Sequence, residues 1–236
     1  MKIVDVVTTV VGTPWRELTF VELVADDGRR GVGEVRMINK TDTLVACVSE
    51  LADRHVIGMD PFDRELLAFR IQRADYGRPG EVTQSALAAF DIAYWDLIGQ
   101  ELGVPVWKLL GGRYRDRVPA YANGWYQAAC ARQVVARGYR ALKLDPFGAA
   151  VLDLVPAERR RALRLVAAVR EAVGPEVQVM LEMHGRLSPA AAAAMAAELE
   201  PLSPAWIEEP VAFDSPTGLA RVRSATRLPI ATGERI

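Results

Sequence analysis

The fold is decided by the stretch Val177-Gln178-Val179-Met180-Leu181-Glu182 and by its shorter counterpart Ala205-Trp206-Ile207-Glu208. Each is an apolar run that ends in a glutamate, and the later run Leu228-Pro229-Ile230-Ala231-Thr232-Gly233-Glu234 ends in the same way. Glu208 lies 26 positions after Glu182, and Glu234 lies 26 positions after Glu208. Each interval leaves room for a strand, a helix and two loops. This alternation is typical of parallel βα units. It predicts three carboxylates at one edge of a sheet, as a cage for a hard divalent cation.

Composition indicates an ordinary globular protein. The chain has 236 residues, of which half are apolar and a quarter are charged, as expected for a folded chain with a full core. A net charge of −1 argues against nucleic acid or an anionic membrane surface as a partner. No apolar run approaches the length of a membrane span, and Cys47 and Cys130 lack the spacing of a metal site. We therefore predict a cytoplasmic protein with reduced thiols.

The pattern of the sequence changes near residue 113, which predicts two domains, 1–113 and 114–236. The first reads as α+β, with a hairpin signal at Asp26-Asp27-Gly28 between two strands. Its predicted strands are Lys2–Val11, Leu18–Ala25 and Gly31–Val35, and its predicted helices are Thr41–Arg54, Phe62–Arg73 and Gln84–Glu101.

The second domain alternates strands with helices, which favours a (β/α) TIM-type barrel over an open sheet. The predicted strands are Val118–Ala122, Ala141–Leu144, Val177–Glu182, Ala205–Glu208 and Leu228–Thr232, and the predicted helices are Gln127–Arg137, Ala157–Ala172, Pro189–Leu199 and Thr217–Ser224. A closed barrel needs eight strands, and five are present. We therefore expect either a C-terminally truncated fragment or a sequence that lacks residues after Ile236.

Further polar residues follow the predicted strand ends. Lys143 and Asp145 end the second barrel strand on the same side, because side chains alternate along a strand. His184 lies two positions after Glu182. Together with the glutamates, these residues are expected to surround one opening.

Such a set suits the removal of a proton next to a carboxylate. A cation held by carboxylates absorbs the charge that develops on the substrate, and oxygen ligands favour Mg²⁺. Lys143 is predicted either to stabilise the enolate oxygen or, with a lowered pKa, to act as a base. His184 is predicted to protonate a departing hydroxyl group as a general acid.

With these residues the chain resembles the enolase superfamily, in its mandelate racemase/muconate lactonizing enzyme-like branch. The resemblance extends over essentially the whole sequence and includes the segments Leu109–Gly112, Tyr121–Gly124, Trp206–Pro210 and Thr232–Glu234. It implies that the first domain caps the barrel and sets substrate specificity. It also implies that Mg²⁺ is held by Glu182, Glu208 and Glu234.

The subfamily is indicated by Glu182-Met183-His184-Gly185-Arg186 together with Asp145, which stands where many relatives carry a second lysine. This combination is similar to sugar-acid dehydratases of the galactonate and gluconate type. In those enzymes the histidine helps the 3-hydroxyl leave, and a His–Asp dyad on later strands removes the α-proton. The sequence contains two histidines, His55 and His184, so this dyad is not found in it.

We therefore predict an Mg²⁺-dependent lyase that converts a sugar acid, a small-molecule carboxylate, to a 2-keto-3-deoxy acid, with Lys143 and His184 as catalytic residues. Trp15 and Trp125 are predicted to wall the substrate pocket, whereas Asp145 either contacts the substrate or pairs with Lys143. The resemblance further implies a homo-oligomer. Two alternatives stay open: an epimerase or racemase of a 2-hydroxy acid on the same scaffold, and an inactive fragment that binds only metal or a partner.

Overall fold

The structure is a computed structural model that describes residues 1–74, 76–124 and 127–234. The chain divides into two compact units, of which the first is Met1–Asp116 and the second begins at Arg117. No helix in the described ranges is both long enough and apolar enough to cross a lipid bilayer.

A three-stranded antiparallel sheet forms one layer of the first unit. Its strands lie in the order β1 (Ile3–Gly12), β2 (Glu17–Ala25) and β3 (Arg30–Val35). The turn between β2 and β3 contains Gly28 with φ 84°, a left-handed conformation that glycine adopts without steric cost. The predicted hairpin is thereby confirmed.

Helices pack beside this sheet. They are α1 (Thr41–Leu51), which continues into a π-helical turn (Ala52–Val56), a 3₁₀ turn (Pro61–Asp63), α2 (Arg64–Ala74), α3 (Glu81–Leu102) and α4 (Val106–Leu109). Helices α1 and α3 contact the strands of the sheet. Helix α3 lies at the centre of the core, where Phe90, Tyr94 and Leu97 are fully buried. It ends at Gly103, whose φ of 65° is the left-handed cap that commonly terminates a helix.

Helix α3 approaches β3 so closely that β3 requires glycine. A Cβ atom on Gly33 would lie 2.0 Å from the carbonyl oxygen of Ala89, and one on Gly31 would lie 2.3 Å from that of Ala93. The obstructing atoms belong to the helix backbone, which cannot rotate away as a side chain can.

The substitution Gly33→Ala is therefore expected to destabilise the protein by at least the ~1–3 kcal/mol typical of overpacking. Chemical unfolding monitored by circular dichroism measures this change. The matched control is Gly12→Ala at the end of β1, where an added Cβ meets nothing within 4 Å. Equal stability of the two variants would contradict the close packing of α3 on β3.

The second unit contains a five-stranded parallel sheet whose strands are neighbours in chain order. The strands are β4 (Ala122–Asn123), β5 (Ala141–Leu144), β6 (Gln178–Glu182), β7 (Trp206–Glu208) and β8 (Ile230–Ala231). The helices are α5 (Ala128–Ala136), α6 (Pro156–Val173), α7 (Pro189–Leu199), a 3₁₀ turn (Glu200–Leu202) and α8 (Pro216–Ala225). This is part of a TIM-type barrel, as the alternation of strands and helices predicted.

The first barrel strand differs from the prediction of Val118–Ala122. The structure places β4 at Ala122–Asn123, and Val118 is 81% exposed. Pro119 explains the difference, because proline has no N–H to donate to a strand ladder and interrupts pairing. Val118 therefore lies in the segment that precedes β4 in the second unit.

The pleat of the sheet separates its apolar side chains from its polar ones. Leu142, Leu144 and Leu181 belong to the hydrophobic core of the unit. Because side chains alternate along a strand, Lys143 and Glu182 lie on the opposite face. This alternation brings charged groups together at the carboxyl ends of the strands.

Candidate active site

Two glutamates and a lysine form the centre of the site. Glu182 on β6 and Glu208 on β7 are paired in register, and Lys143 lies on the adjacent strand β5. The Lys143 Nζ atom is 2.7 Å from Glu182 Oε2 and also forms a short ion pair with Glu208 Oε1. The side chains of Lys143 and Glu182 are less than one-tenth exposed. One ammonium group therefore pairs with two carboxylates in a poorly solvated position.

Neighbouring groups hold the outer oxygens of the two carboxylates. The backbone N–H of His184 donates to Glu182 Oε1 at 2.8 Å, and the indole N–H of Trp206 donates to Glu208 Oε2 at 3.0 Å. Tyr121 packs edge-on against Trp206, with ring centroids 6.2 Å apart. Neither Trp206 nor Tyr121 is among the site residues predicted from the sequence. The available signal was the position of Trp206 two residues before Glu208, on the same face of β7.

The charges of this centre follow from burial and pairing. Burial raises the pKa of Glu182 despite its bond to Lys143. Burial also acts to raise the pKa of Glu208, but the bonds from Lys143 and Trp206 outweigh it and lower that pKa. Burial acts to lower the pKa of Lys143, but its two carboxylate partners outweigh it and raise that pKa. In this arrangement Lys143 is the cationic partner of the two carboxylates.

A second cluster of charged side chains lies in the loops that follow β5 and β6. Asp145 Oδ2 is 2.9 Å from His184 Nδ1 and 2.6 Å from Arg186 Nη2, and its Oδ1 accepts the backbone N–H of Phe147 at 2.9 Å. Burial acts to raise the pKa of Asp145, but His184, the Phe147 N–H and Arg186 outweigh it and lower that pKa. Asp145 therefore pairs with His184 and Arg186 rather than with Lys143.

The imidazole of His184 remains accessible. Its side chain is 49% exposed. Its backbone has a φ of 52°, a left-handed conformation that is uncommon for residues other than glycine. The hydrogen bond to Asp145 is the main cause of the raised pKa of His184. The ring can therefore carry a proton near neutral pH while facing solvent.

The two central glutamates fit a metal ion. The ammonium group of Lys143 occupies a cation position between Glu182 and Glu208, and these are hard oxygen donors of the kind that Mg²⁺ prefers. The third predicted ligand, Glu234, is exposed after β8 and stays a prediction. Within 1–74, 76–124 and 127–234, no group of three or more His, Cys, Asp or Glu side chains is arranged to hold a metal.

The neighbouring Glu209 has a different role from that of Glu208. It is 2% exposed, and it accepts hydrogen bonds from the Thr232 hydroxyl at 3.1 Å and from the Gly233 N–H at 2.8 Å. Its carboxylate thus holds the segment after β8, whereas Glu208 faces Lys143.

Two tryptophans, Trp15 and Trp125, are predicted to wall the substrate pocket. Trp15 is in the first unit, where it lines a groove of about 350 Å³ together with Arg16, Arg36 and Asn39. The Arg16 guanidinium lies 4.1 Å from the centroid of the Trp15 ring. Trp125 lies outside the described residues.

Comparison with known proteins identifies the family. Residues 3–111 match the mandelate racemase/muconate lactonizing enzyme N-terminal domain, and residues 125–236 match the enolase C-terminal domain-like family. A mandelate racemase/muconate lactonizing enzyme from Jannaschia sp. CCS1 superposes with a TM-score of 0.94 at 30% identity, over 100% of this chain and 68% of that chain. The chain belongs to the enolase superfamily. The resemblance inferred from the strand-end residues is confirmed.

Curated relatives of this enolase-superfamily chain include sugar-acid dehydratases. A D-gluconate dehydratase from Thermoproteus tenax is 42% identical over 226 residues, which cover 92% of this chain and 45% of the relative. A D-galactonate dehydratase from Xanthomonas euvesicatoria is 35% identical and covers 100% of this chain and 62% of the relative. The chain thus spans between about half and three-fifths of the length of these curated relatives.

Proposed function

We propose that this chain contributes the metal- and acid-bearing part of a sugar-acid dehydratase, which converts an aldonate-type sugar acid to a 2-keto-3-deoxy acid. The observation that carries the proposal is the juxtaposition of two clusters. One holds Lys143 between Glu182 and Glu208, and the other presents the exposed imidazole of His184 on Asp145. The names of the dehydratase relatives support the same chemistry.

The proposed cofactor is Mg²⁺. Glu182 and Glu208 would hold it, and Glu234 is the proposed third ligand. When bound, the ion would supply a positive charge that stabilises the carboxylate of the substrate, while the α-proton passes to a base on later barrel strands, as the resemblance to sugar-acid dehydratases implies.

Two side chains of this chain have proposed roles in the reaction. The cationic Lys143 stabilises negative charge as it develops on the substrate oxygen. His184, protonated on Nε2, donates that proton to the departing 3-hydroxyl group, which leaves as water. Its half-exposed ring and raised pKa support this role.

We further propose residues that contact the substrate, the class of the substrate and the assembly of the protein. Trp15 and Trp125 are proposed substrate contacts. The substrate is a small-molecule carboxylate rather than a nucleic acid or a membrane. A cytoplasmic homo-oligomer also stays a prediction.

The test is incubation of a purified protein that contains this chain within a complete eight-stranded barrel, with a panel of aldonic acids and Mg²⁺ in D₂O, followed by mass spectrometry. We expect a 2-keto-3-deoxy product from at least one acid, and loss of that product with Glu208→Gln. Deuterium incorporated into unchanged acid, without a keto product, would indicate an epimerase instead. Metal binding without either reaction would favour the inactive-fragment alternative.

A further inference from the structure

Arg186 connects two loops next to His184, the candidate acid, and has no role in the reaction proposed above. Its Nη2 donates to Asp145 Oδ2 at 2.6 Å, its Nη1 donates to the carbonyl of Gly148, and its Nε donates to the carbonyl of Met183 at 3.3 Å. Asp145 and Gly148 lie in the loop after β5, whereas Met183 follows β6. One guanidinium group therefore fixes the position of one loop relative to the other.

The orientation of Asp145 is fully determined by its partners. Oδ1 accepts the N–H of Phe147, and Oδ2 accepts from Arg186 and contacts Nδ1 of His184 at 2.9 Å. An ionised carboxylate can only accept hydrogen bonds, so Nδ1 of His184 must carry the proton in this contact. The opposite ring nitrogen, Nε2, is then the one that exchanges protons.

We propose that Arg186 and Asp145 are positioning residues for His184: Arg186 holds Asp145, and Asp145 holds the Nδ1–H, so that Nε2 is presented to the substrate. This inference rests on the proposed dehydratase function. The Nε2–H bond of the imidazolium and the C3–O bond of the substrate break together, and the electron pair of the enolate forms the C2–C3 double bond. The proton joins the departing hydroxyl group to form water, and the neutral ring keeps its proton on Nδ1. Asp145 and Arg186 neither gain nor lose a proton.

Arginine suits this position because of its shape. The planar guanidinium offers five donors in a fixed fork, and in this site three of its nitrogens reach acceptors on two loops. A lysine offers one compact charge and can satisfy the carboxylate without connecting both loops.

The tautomer of His184 tests the proposal without any substrate. The chain contains two histidines, so long-range proton–nitrogen NMR spectra of isotope-labelled histidine show two rings, and His184→Gln assigns them. Above the pKa of the ring, we expect the wild-type His184 to be protonated on Nδ1 and unprotonated on Nε2. Arg186→Met should shift the ring towards a mixture of both tautomers, approaching the spectrum of Asp145→Ala, in which the acceptor is absent.

The matched control is Arg161→Met. Arg161 Nη2 donates to the carbonyl of Phe147 at 3.2 Å, so it supports the same loop through a different contact. We expect its His184 spectrum to equal the wild type. An unchanged tautomer in Arg186→Met, or an equal change in Arg161→Met, would overturn the proposal. If Arg186→Met does not fold, Arg186→Lys is expected to give the same change to a smaller extent, and a wild-type spectrum would overturn the proposal equally.

Kinetics give a second readout in the active protein. A small misplacement of a catalytic group can cost about 10²-fold in rate, so Arg186→Met should lower kcat by about 10²-fold and leave KM nearly unchanged. A rise in KM with unchanged kcat would instead make Arg186 a substrate contact. The NMR result stands whether or not the protein dehydrates a sugar acid, so failure of the proposed function is distinguishable from failure of this inference.

Discussion

Replacing Lys143 by methionine is expected to lower the free energy of unfolding of the metal-free protein by about 3–5 kcal/mol, the typical cost of removing one partner from a buried ion pair. The reason is that Glu182 and Glu208 face each other with little solvent, and Lys143 is the cation between them. Without it, one carboxylate must take up a proton or the two must repel each other. Urea unfolding in the presence of EDTA measures the loss.

Mg²⁺ should stabilise Lys143→Met more than it stabilises the wild-type protein. In the wild type the ammonium group competes with the ion for the same two carboxylates, whereas in the variant the ion meets no competitor. A ligand at one hundred times its Kd contributes about 2.7 kcal/mol to stability, which is large enough to measure as a shift of the unfolding midpoint.

The double variant Lys143→Met/Glu208→Gln provides the control for this effect. Removing one carboxylate with the lysine should recover much of the lost stability and reduce the response to Mg²⁺. If Mg²⁺ shifts the wild type and Lys143→Met equally, the two glutamates are not the binding site and the proposed ligand set is wrong.

Replacing His184 by glutamine is expected to reduce formation of the keto product by about 10²–10⁴-fold, the usual contribution of a general acid. Glutamine can still hydrogen-bond to Asp145, but it cannot transfer a proton to the departing hydroxyl. Exchange of the α-proton with D₂O should continue, because proton removal precedes the step that His184 assists. The measurement is the ratio of deuterium incorporation to keto product.

The other histidine offers a matched control. His55 lies in the π-helical turn of the first unit, so His55→Gln changes the same residue type without altering the candidate acid and should leave this ratio unchanged. Equal losses of exchange and product in His184→Gln would show that His184 does not act specifically on the leaving hydroxyl.

The order of strands and helices could be predicted because it depends on local patterns. The alternation of apolar runs with helical segments predicted the parallel sheet, and the run ending in Glu182 became β6 with that residue at its end. The helix Pro189–Leu199 has the same bounds in the prediction and in the structure. The prediction for the first barrel strand was wrong because it began the strand at Val118, although Pro119 cannot donate a hydrogen bond to a strand ladder.

The partners of the charged residues could not be predicted in the same way. Asp145 was expected either to contact the substrate or to pair with Lys143. The structure pairs it with His184 and Arg186 in place of Lys143, and its contact with the substrate stays a prediction. Those contacts depend on how the loops after β5 and β6 fold back, including a left-handed backbone at His184. No periodic pattern in the sequence encodes that conformation.

The sequence by itself determined the fold class, the family and the placement of glutamates at strand ends, because side-chain alternation and the length of a βα unit are properties of short segments. The tertiary structure decided which charges meet. Strand register places Glu182 opposite Glu208 with Lys143 between them. The conformation of the loops after β5 and β6 brings Arg186 into contact with Asp145. Both depend on distances between segments about 25 to 65 residues apart in the chain, which only the packed sheet brings into contact.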